Sequence, residues 1–171
     1  ADLAAAPVPR DAISRLVGVA RALRAGGRHR PFDGASDTYL HAGLYTLEGL
    51  VFLRARGLAD DAVEALHAGC IWLAAVQHAD GGIRAWAGDA VAHGPVRADA
   101  TAQAVRVWLA VDPVRWREPV ERATAALATL QDERGGLRYA SDSVHVNTWA
   151  SLFALQALRW LDNGAAPTEL V

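Results

Sequence analysis

Three Gly-Gly pairs divide this chain at almost equal intervals. The pairs begin at Gly26, Gly81 and Gly135, which are 55 and 54 residues apart. Each pair ends one apolar run of helical periodicity and precedes another, and glycine ends a helix without a Cβ clash. A period of this length with two helices per unit is typical of helical-hairpin arrays. The spacing therefore predicts an all-α chain of three tandem hairpin repeats of about 54 residues.

Apolar residues at helical spacing predict two helices in each repeat. Their expected bounds are 11–25, 37–56, 61–78, 99–111, 118–131 and 146–161. A single domain follows, with repeats at about 11–57, 60–112 and 115–162 and flexible ends at 1–10 and 163–171. The apolar stretches 83–86 and 137–139 are too short to predict more than locally extended structure.

Composition narrows the class of protein. The chain has 171 residues and a net charge of −2, with acids and bases interspersed, so no basic face for nucleic acid is expected. No apolar run approaches the ~20 residues of a membrane span. Arginine-rich usage without lysine favours a soluble bacterial protein of the cytoplasm, although the compartment itself stays open. A methionine-free chain that begins at Ala1 indicates processing or a segment of something longer.

Residues 68–83 resemble the QW repeat of the terpene cyclase and protein prenyltransferase superfamily. The matching residues are Gly69, Trp72, Leu73, Gln77 and Gly81, with Ile83 in place of the final tryptophan. The next repeat matches at Arg122, Ala123, Leu127, Gln131 and Gly135, with Ala126 and Leu137 in place of both aromatics. The first repeat keeps the spacing, with Ala22 at the glutamine position.

The resemblance implies an α/α toroid, in which helices alternate between an inner and an outer ring. Inner helices would lie near 37–56, 99–111 and 146–161, and three hairpins would make about half of the ring. Six-hairpin glycosidases, polysaccharide lyases and sugar epimerases have similar toroids. A second chain, as in a homodimer, or a missing segment is expected to complete the ring.

The catalytic residues of the superfamily have no counterparts here. The Asp-rich motifs of terpene cyclases are absent, and Asp60-Asp61 is a helix cap by position. The zinc site of protein prenyltransferases needs a cysteine, but Cys70, the one cysteine, falls on an expected outer helix as a small buried residue. Histidines show no metal-ligand spacing. We therefore expect neither a metal nor another cofactor.

Polar stripes on the expected inner helices supply candidate catalytic residues. Asp37, His41 and Glu48 share one face of the second helix. Asp99, Gln103 and Arg106 share one face of the fourth. A carboxylate from Glu48 or Asp99, with His41 as its proton partner, could perform acid–base chemistry on a sugar. The alternative is a solvated helix face with Asp37 and Asp99 as N-caps.

The loops after the Gly-Gly pairs supply candidate substrate-binding residues. The full set comprises Arg84, Trp86, Gln103, Arg138, Tyr139 and Asn147. Arginine and aromatics beside helix N-termini suit a carboxylated or hydroxylated ligand such as a uronic-acid sugar. In the alternative, the aromatics wedge the repeats together and the arginines pair with nearby acids. Trp149 and Trp160 are expected in the core, and Gly82 or Gly136 is expected to adopt a left-handed conformation.

Three functions remain in view. The leading hypothesis is the terminal portion of a carbohydrate-active toroid protein, of the hydrolase, lyase or epimerase class, with a saccharide or other small-molecule ligand. The second is a terpene cyclase-like or prenyltransferase-like domain without its catalytic motif. The third is a non-catalytic helical scaffold that docks to another chain.

Overall fold

A computed structural model describes residues 11, 14–15, 18, 24–25, 28–29, 37–88 and 91–170. Helices α1 to α5 span Leu40–Ala55, Val63–Val76, Ala98–Val111, Arg117–Thr129 and Thr148–Asn163. Strands β1 to β5 span Arg24–Ala25, Arg28–His29, Thr38–Tyr39, Arg84–Ala87 and Ala92–Val96. Short 3₁₀ turns occupy Asp60–Ala62 and Pro167–Glu169.

The helices form two layers around α3. Every residue of α3 from Ala98 to Leu109 is buried. Helix α3 packs between α1 and α5, while α2 and α4 lie against it from the other layer. Its many alanines, which carry no bulky side chain, allow neighbouring helices to approach it on every side. Residues 165, 166 and 170, within the expected flexible end, pack back against the main core.

Helices α1 to α5 confirm the second to sixth predicted helices within a few residues at each end. Asp11, Ser14, Arg15 and Gly18 are helical, as expected for the first, and the rest of that helix lies outside the described residues except for its end. There the prediction is wrong, because Arg24–Ala25 pairs as a strand with Arg28–His29.

The expectation of a purely helical chain is wrong as well. Strands β3, β4 and β5 form an antiparallel sheet in which Tyr39 pairs with Trp86 and Arg84 pairs with Val96. Burial alternates along β4, with Ala85 and Ala87 inward and Trp86 exposed. Four residues are too few for a period of two to stand out in the sequence, which is why the sheet was not predicted.

The repeated spacing of glutamine and glycine has a structural cause in the loops. Gln77 Nε2 donates to the carbonyl oxygen of Gly81 at 2.8 Å and to that of Pro119 at 2.9 Å. Gln131 Nε2 donates to the carbonyl oxygen of Gly135 at 3.3 Å. A glutamine four residues before a glycine therefore closes the turn that follows helix α2 and the turn that follows helix α4.

The first glycine of each described pair holds the left-handed conformation. The φ angles are +85° at Gly81 and +91° at Gly135. The expectation for Gly82 and Gly136 is wrong, because neither has a positive φ. Close packing requires glycine at these two positions, because a Cβ at either one would lie 2.5 Å from a valine methyl of the following segment.

Matched hydrogen bonds join these two loops to the starts of α3 and α5. Thr101 Oγ1 accepts from the Ile83 amide at 3.0 Å, and Ser151 Oγ accepts from the Leu137 amide at 2.9 Å. Both hydroxyls also donate to the carbonyl of the residue that caps their helix. These anchors set where α3 and α5 begin, and with that the height of the side chains on their first turns.

Gly81→Ala and Gly135→Ala separate backbone strain from steric contact. Both glycines have positive φ, but a Cβ at Gly81 would lie 2.2 Å from the carbonyl oxygen of Arg122, whereas one at Gly135 meets nothing within 4 Å. We expect Gly135→Ala to cost about 1–2 kcal/mol and Gly81→Ala at least about 1 kcal/mol more. Urea unfolding of the two variants measures the difference, and equal midpoints would contradict the packing at Gly81.

Candidate functional site

Helices α1, α3 and α5 place equivalent residues side by side. Tyr39, Arg97 and Asn147 are the N-cap residues of α1, α3 and α5, and each has an extended backbone conformation. Two residues further on stand His41, Asp99 and Trp149. The first turns of three helices therefore meet, and their exposed amide dipoles raise the local potential there.

A half-open pocket of about 250 Å³ lies where these helix starts converge. Its lining residues are His41, Tyr45, Asp99, Tyr139, Asn147 and Trp149. The side chain of Trp149 is 63% exposed, so the expectation that it belongs to the core is wrong. Trp160 is buried, as expected.

Arg97 organises the inner wall of the pocket. Its Nη2 donates to Asp99 Oδ2 at 2.7 Å and to the Tyr139 hydroxyl, and its Nη1 donates to the Tyr39 hydroxyl at 2.5 Å. The guanidinium also lies over the Tyr139 ring, 3.7 Å from its centroid. Asp99 Oδ1 accepts from the Ala100 amide at 2.8 Å. Both charges are buried, and their mutual pairing offsets the cost of removing them from water.

His41 is held from behind by a buried amide. His41 Nδ1 lies 2.7 Å from Gln103 Oε1 and 3.5 Å from Asp99 Oδ2. Gln103 Nε2 in turn donates to Glu48 Oε2 at 2.8 Å, and Glu48 Oε1 accepts from Arg106. Burial raises the pKa of Glu48, whereas Arg106 and the Gln103 hydrogen bond act to lower it. The imidazole is thus fixed in place by residues that do not line the pocket.

Tyr139 carries a neutral phenol over the whole physiological range. Burial, followed by the hydroxyl of Tyr39, raises the pKa of Tyr139 to about 12 against the lowering effect of Arg97. Its hydroxyl can therefore donate a proton to a bound molecule, whereas it cannot serve as a phenolate base near neutral pH.

The predicted site residues divide into two groups. His41, Asp99, Tyr139 and Asn147 line the pocket, and Glu48 and Gln103 support it from behind.

The other four predicted residues lie elsewhere. Asp37 bonds the exposed His93 at 2.8 Å beside the sheet. Arg84 pairs with Asp80 at 2.8 Å, and Arg138 donates to the carbonyl oxygen of Thr129 at 2.9 Å. Trp86 packs on the ring of Tyr39, with centroids 4.9 Å apart. Arg84 therefore pairs with a nearby acid, as in the alternative, whereas Arg138 binds a backbone carbonyl instead of an acid.

Sequence reasoning left Tyr39, Arg97, Tyr45 and Trp149 out of the site. A signal for them exists in the N-cap register. Tyr39, Arg97 and Asn147 share the N-cap position of their helices. An alignment of the repeats on that position places Arg97 at the position of Asn147, and Trp149 at the position of His41 and Asp99.

The described residues also bear on metal binding and on membrane crossing. No group of three or more histidine, cysteine, aspartate or glutamate side chains comes together there as a metal site would require. None of the helices among these residues has both the length and the apolar character needed to cross a bilayer.

Comparison with known proteins bears on the fold. No protein-family model and no curated protein matches the chain. A solved structure of a polysaccharide lyase is similar, with a TM-score of 0.65 and 15% sequence identity over 88% of this chain. The match covers 54% of the lyase chain, so this chain spans about half its length. The protein is therefore mostly helical, with the fold of part of a polysaccharide lyase.

Arg106→Met tests the buried ion pair behind the site. Arg106 has no exposed surface, and Glu48 is 6% exposed. Removing one partner leaves the other charge buried, so we expect a loss of about 3–5 kcal/mol, and the double variant Glu48→Met/Arg106→Met should recover most of it. Denaturant unfolding measures both. Arg134→Met serves as the control, because Arg134 pairs with Asp132 at the surface. If Arg106→Met were as stable as the double variant, the pairing would be contradicted.

Tyr139 should ionise well above the pH at which an ordinary tyrosine does. Its pKa rises from 10.0 in an unfolded chain to about 12 in the fold, so its contribution to stability is complete below pH 10 and is lost between pH 10 and 12. Ultraviolet absorbance after a rapid pH jump, before unfolding, should show a tyrosinate transition near pH 12 that Tyr139→Phe removes. A Tyr139 midpoint near pH 10 would contradict the cluster.

Proposed function

We propose that the pocket binds an acidic saccharide and that His41 removes a proton from it, as a lyase or an epimerase does. The main support is the set of side chains that line the pocket. In the part of the chain that the structure describes, the pocket is lined by a single imidazole, that of His41, and by the neutral phenol of Tyr139. An imidazole suits proton abstraction at neutral pH, and a phenol suits proton donation to a leaving group.

The arrangement of carboxylates favours proton abstraction over hydrolysis. Glycoside hydrolysis generally uses two carboxyl groups on opposite sides of the scissile bond. Among the described residues, Asp99 is the carboxylate that lines the pocket, and its oxygens accept from Arg97 and from the Ala100 amide. Glu48 is committed to Arg106 and Gln103 below. A pair of free carboxyl groups is therefore lacking in this part of the pocket.

Other groups in the pocket suit a sugar with a carboxylate. The exposed indole of Trp149 offers a flat apolar surface of the kind on which a pyranose ring stacks. Asn147 uses its Oδ1 to accept from the Ala150 amide at 2.9 Å, which leaves its amide hydrogens as donors. The converging helix N-termini favour an anion, and the acidic proton of a uronate lies on the carbon next to its carboxylate.

The proposal includes a larger ring. A polysaccharide lyase shares the fold over 54% of its own length, which supports a partial toroid. Helix α5 exposes Leu152, Leu155, Leu158 and Leu161, an apolar face suited to a further hairpin or a second copy of the chain. The same face supports the scaffold hypothesis as a second candidate. The buried charges behind the pocket disfavour a terpene cyclase-like cavity.

Binding and turnover of uronate oligosaccharides test the proposal. We expect the protein to bind them in calorimetry and to release an unsaturated sugar or to exchange the uronate α-proton with deuterated water. His41→Ala should lower either rate by about 10²–10⁴-fold with little effect on affinity. Trp149→Ala should weaken binding.

His93→Ala is the matched control, since His93 is an exposed histidine outside the pocket. Binding without turnover in the wild type would reduce the proposal to saccharide recognition. Turnover that persists in His41→Ala at the wild-type rate would contradict the role of the imidazole.

A further inference from the structure

A chain of hydrogen bonds runs from the C-terminal 3₁₀ turn to the pocket. Gln156 Nε2 donates to the carbonyl oxygen of Glu169 at 2.6 Å, and Gln156 Oε1 accepts from Arg106 Nη1 at 2.7 Å. Arg106 Nη2 donates to Glu48 Oε1. The three residues in the middle, Glu48, Arg106 and Gln156, stand nine positions after the N-caps of α1, α3 and α5.

The direction of each bond in this chain is determined by chemistry. A backbone carbonyl only accepts and a guanidinium only donates, so the amide of Gln156 has one orientation that satisfies both neighbours. An ionised carboxylate likewise only accepts. Glu48 therefore requires the amino group of Gln103 on its Oε2, which turns Gln103 Oε1 toward His41.

We propose that Glu48 and Gln103 are positioning residues that hold His41 as the tautomer with its proton on Nδ1, so that Nε2 is the basic nitrogen. Gln103 Oε1 lies 2.7 Å from His41 Nδ1, a distance that requires a hydrogen between the two atoms. Asp99 Oδ2, at 3.5 Å from the same nitrogen, is a second acceptor on that side. The role as a base rests on the proposed function, whereas the tautomer does not depend on it.

Glu48→Gln should reverse the sequence of donors. The new side chain has one oxygen and one amino group, and the guanidinium of Arg106 claims the oxygen. The amino group then faces Gln103, whose amide must turn and present its own amino group to His41. Nδ1 becomes an acceptor, and the proton moves to Nε2, where it blocks the base.

Nitrogen-15 NMR of the histidine side chains tests this without any ligand. In the wild-type protein with neutral imidazole, His41 should show a protonated-type Nδ1 and an unprotonated-type Nε2. Glu48→Gln should shift both resonances toward the opposite pattern. His93, which bonds Asp37 at the sheet, is the internal control and should keep its shifts. The opposite pattern in the wild type would overturn the proposal.

Gln103→Leu keeps the test decisive if Glu48→Gln fails to fold. It removes the amide while leaving the Arg106–Glu48 pair, and the Nδ1-protonated pattern should weaken. An unchanged pattern in either folded variant would overturn the proposal and would assign the tautomer to Asp99. Failure of the proposed function looks different: the wild type would show the expected tautomer but bind no uronate oligosaccharide.

Discussion

The structure depends on the need to neutralise polar groups on its most buried helix. Arg97, Asp99, Gln103 and Arg106 belong to α3 or its N-cap, and all four are buried. Burying an ion without a partner costs several kcal/mol, so the neighbouring helices have to supply partners at matching heights. Helix α1 supplies Glu48, and α5 supplies Gln156. Apolar packing would tolerate sliding or rotation of these helices, whereas the hydrogen bonds define one arrangement.

That requirement also places the pocket. The residues that satisfy α3 from the side of α1 include Tyr39, which bonds Arg97, and His41, which bonds Gln103. Both stand on the first helical turn of their repeat or immediately before it. The pocket lining therefore belongs to the same hydrogen-bond network as the buried residues that stabilise the helix packing. The same substitution can affect stability and chemistry, which is why the NMR measurement is more informative than activity alone.

Periodicity and glycine spacing were sufficient to predict the helices, since α1 to α5 are long and strongly patterned. The Gly-Gly pairs were predicted as turns, but the left-handed conformation lies at Gly81 and Gly135 and not at the expected Gly82 or Gly136. The role of the second glycines required knowledge of Val96 and Val146 across the turn. The sheet escaped prediction because its strands are short and because β3 pairs with a strand that lies far along the chain. Of the candidate site, His41, Asp99, Tyr139 and Asn147 could be selected as polar residues near helix starts. Residue type did not select Arg97, because an arginine before a helix is usually a surface residue and tertiary structure buries this one; the shared N-cap position is the signal that marks it.

The Gln77 side chain links more than its own loop. Besides Gly81, it binds Pro119 in α4, while Arg122 of α4 donates to the carbonyl oxygen of His78 at 2.7 Å. Adjacent hairpins are therefore joined at this seam by bonds that each hairpin alone would leave open. In an array of this kind the interface between neighbours carries much of the folding free energy. Opening either side of this seam would therefore break hydrogen bonds in which the other side takes part.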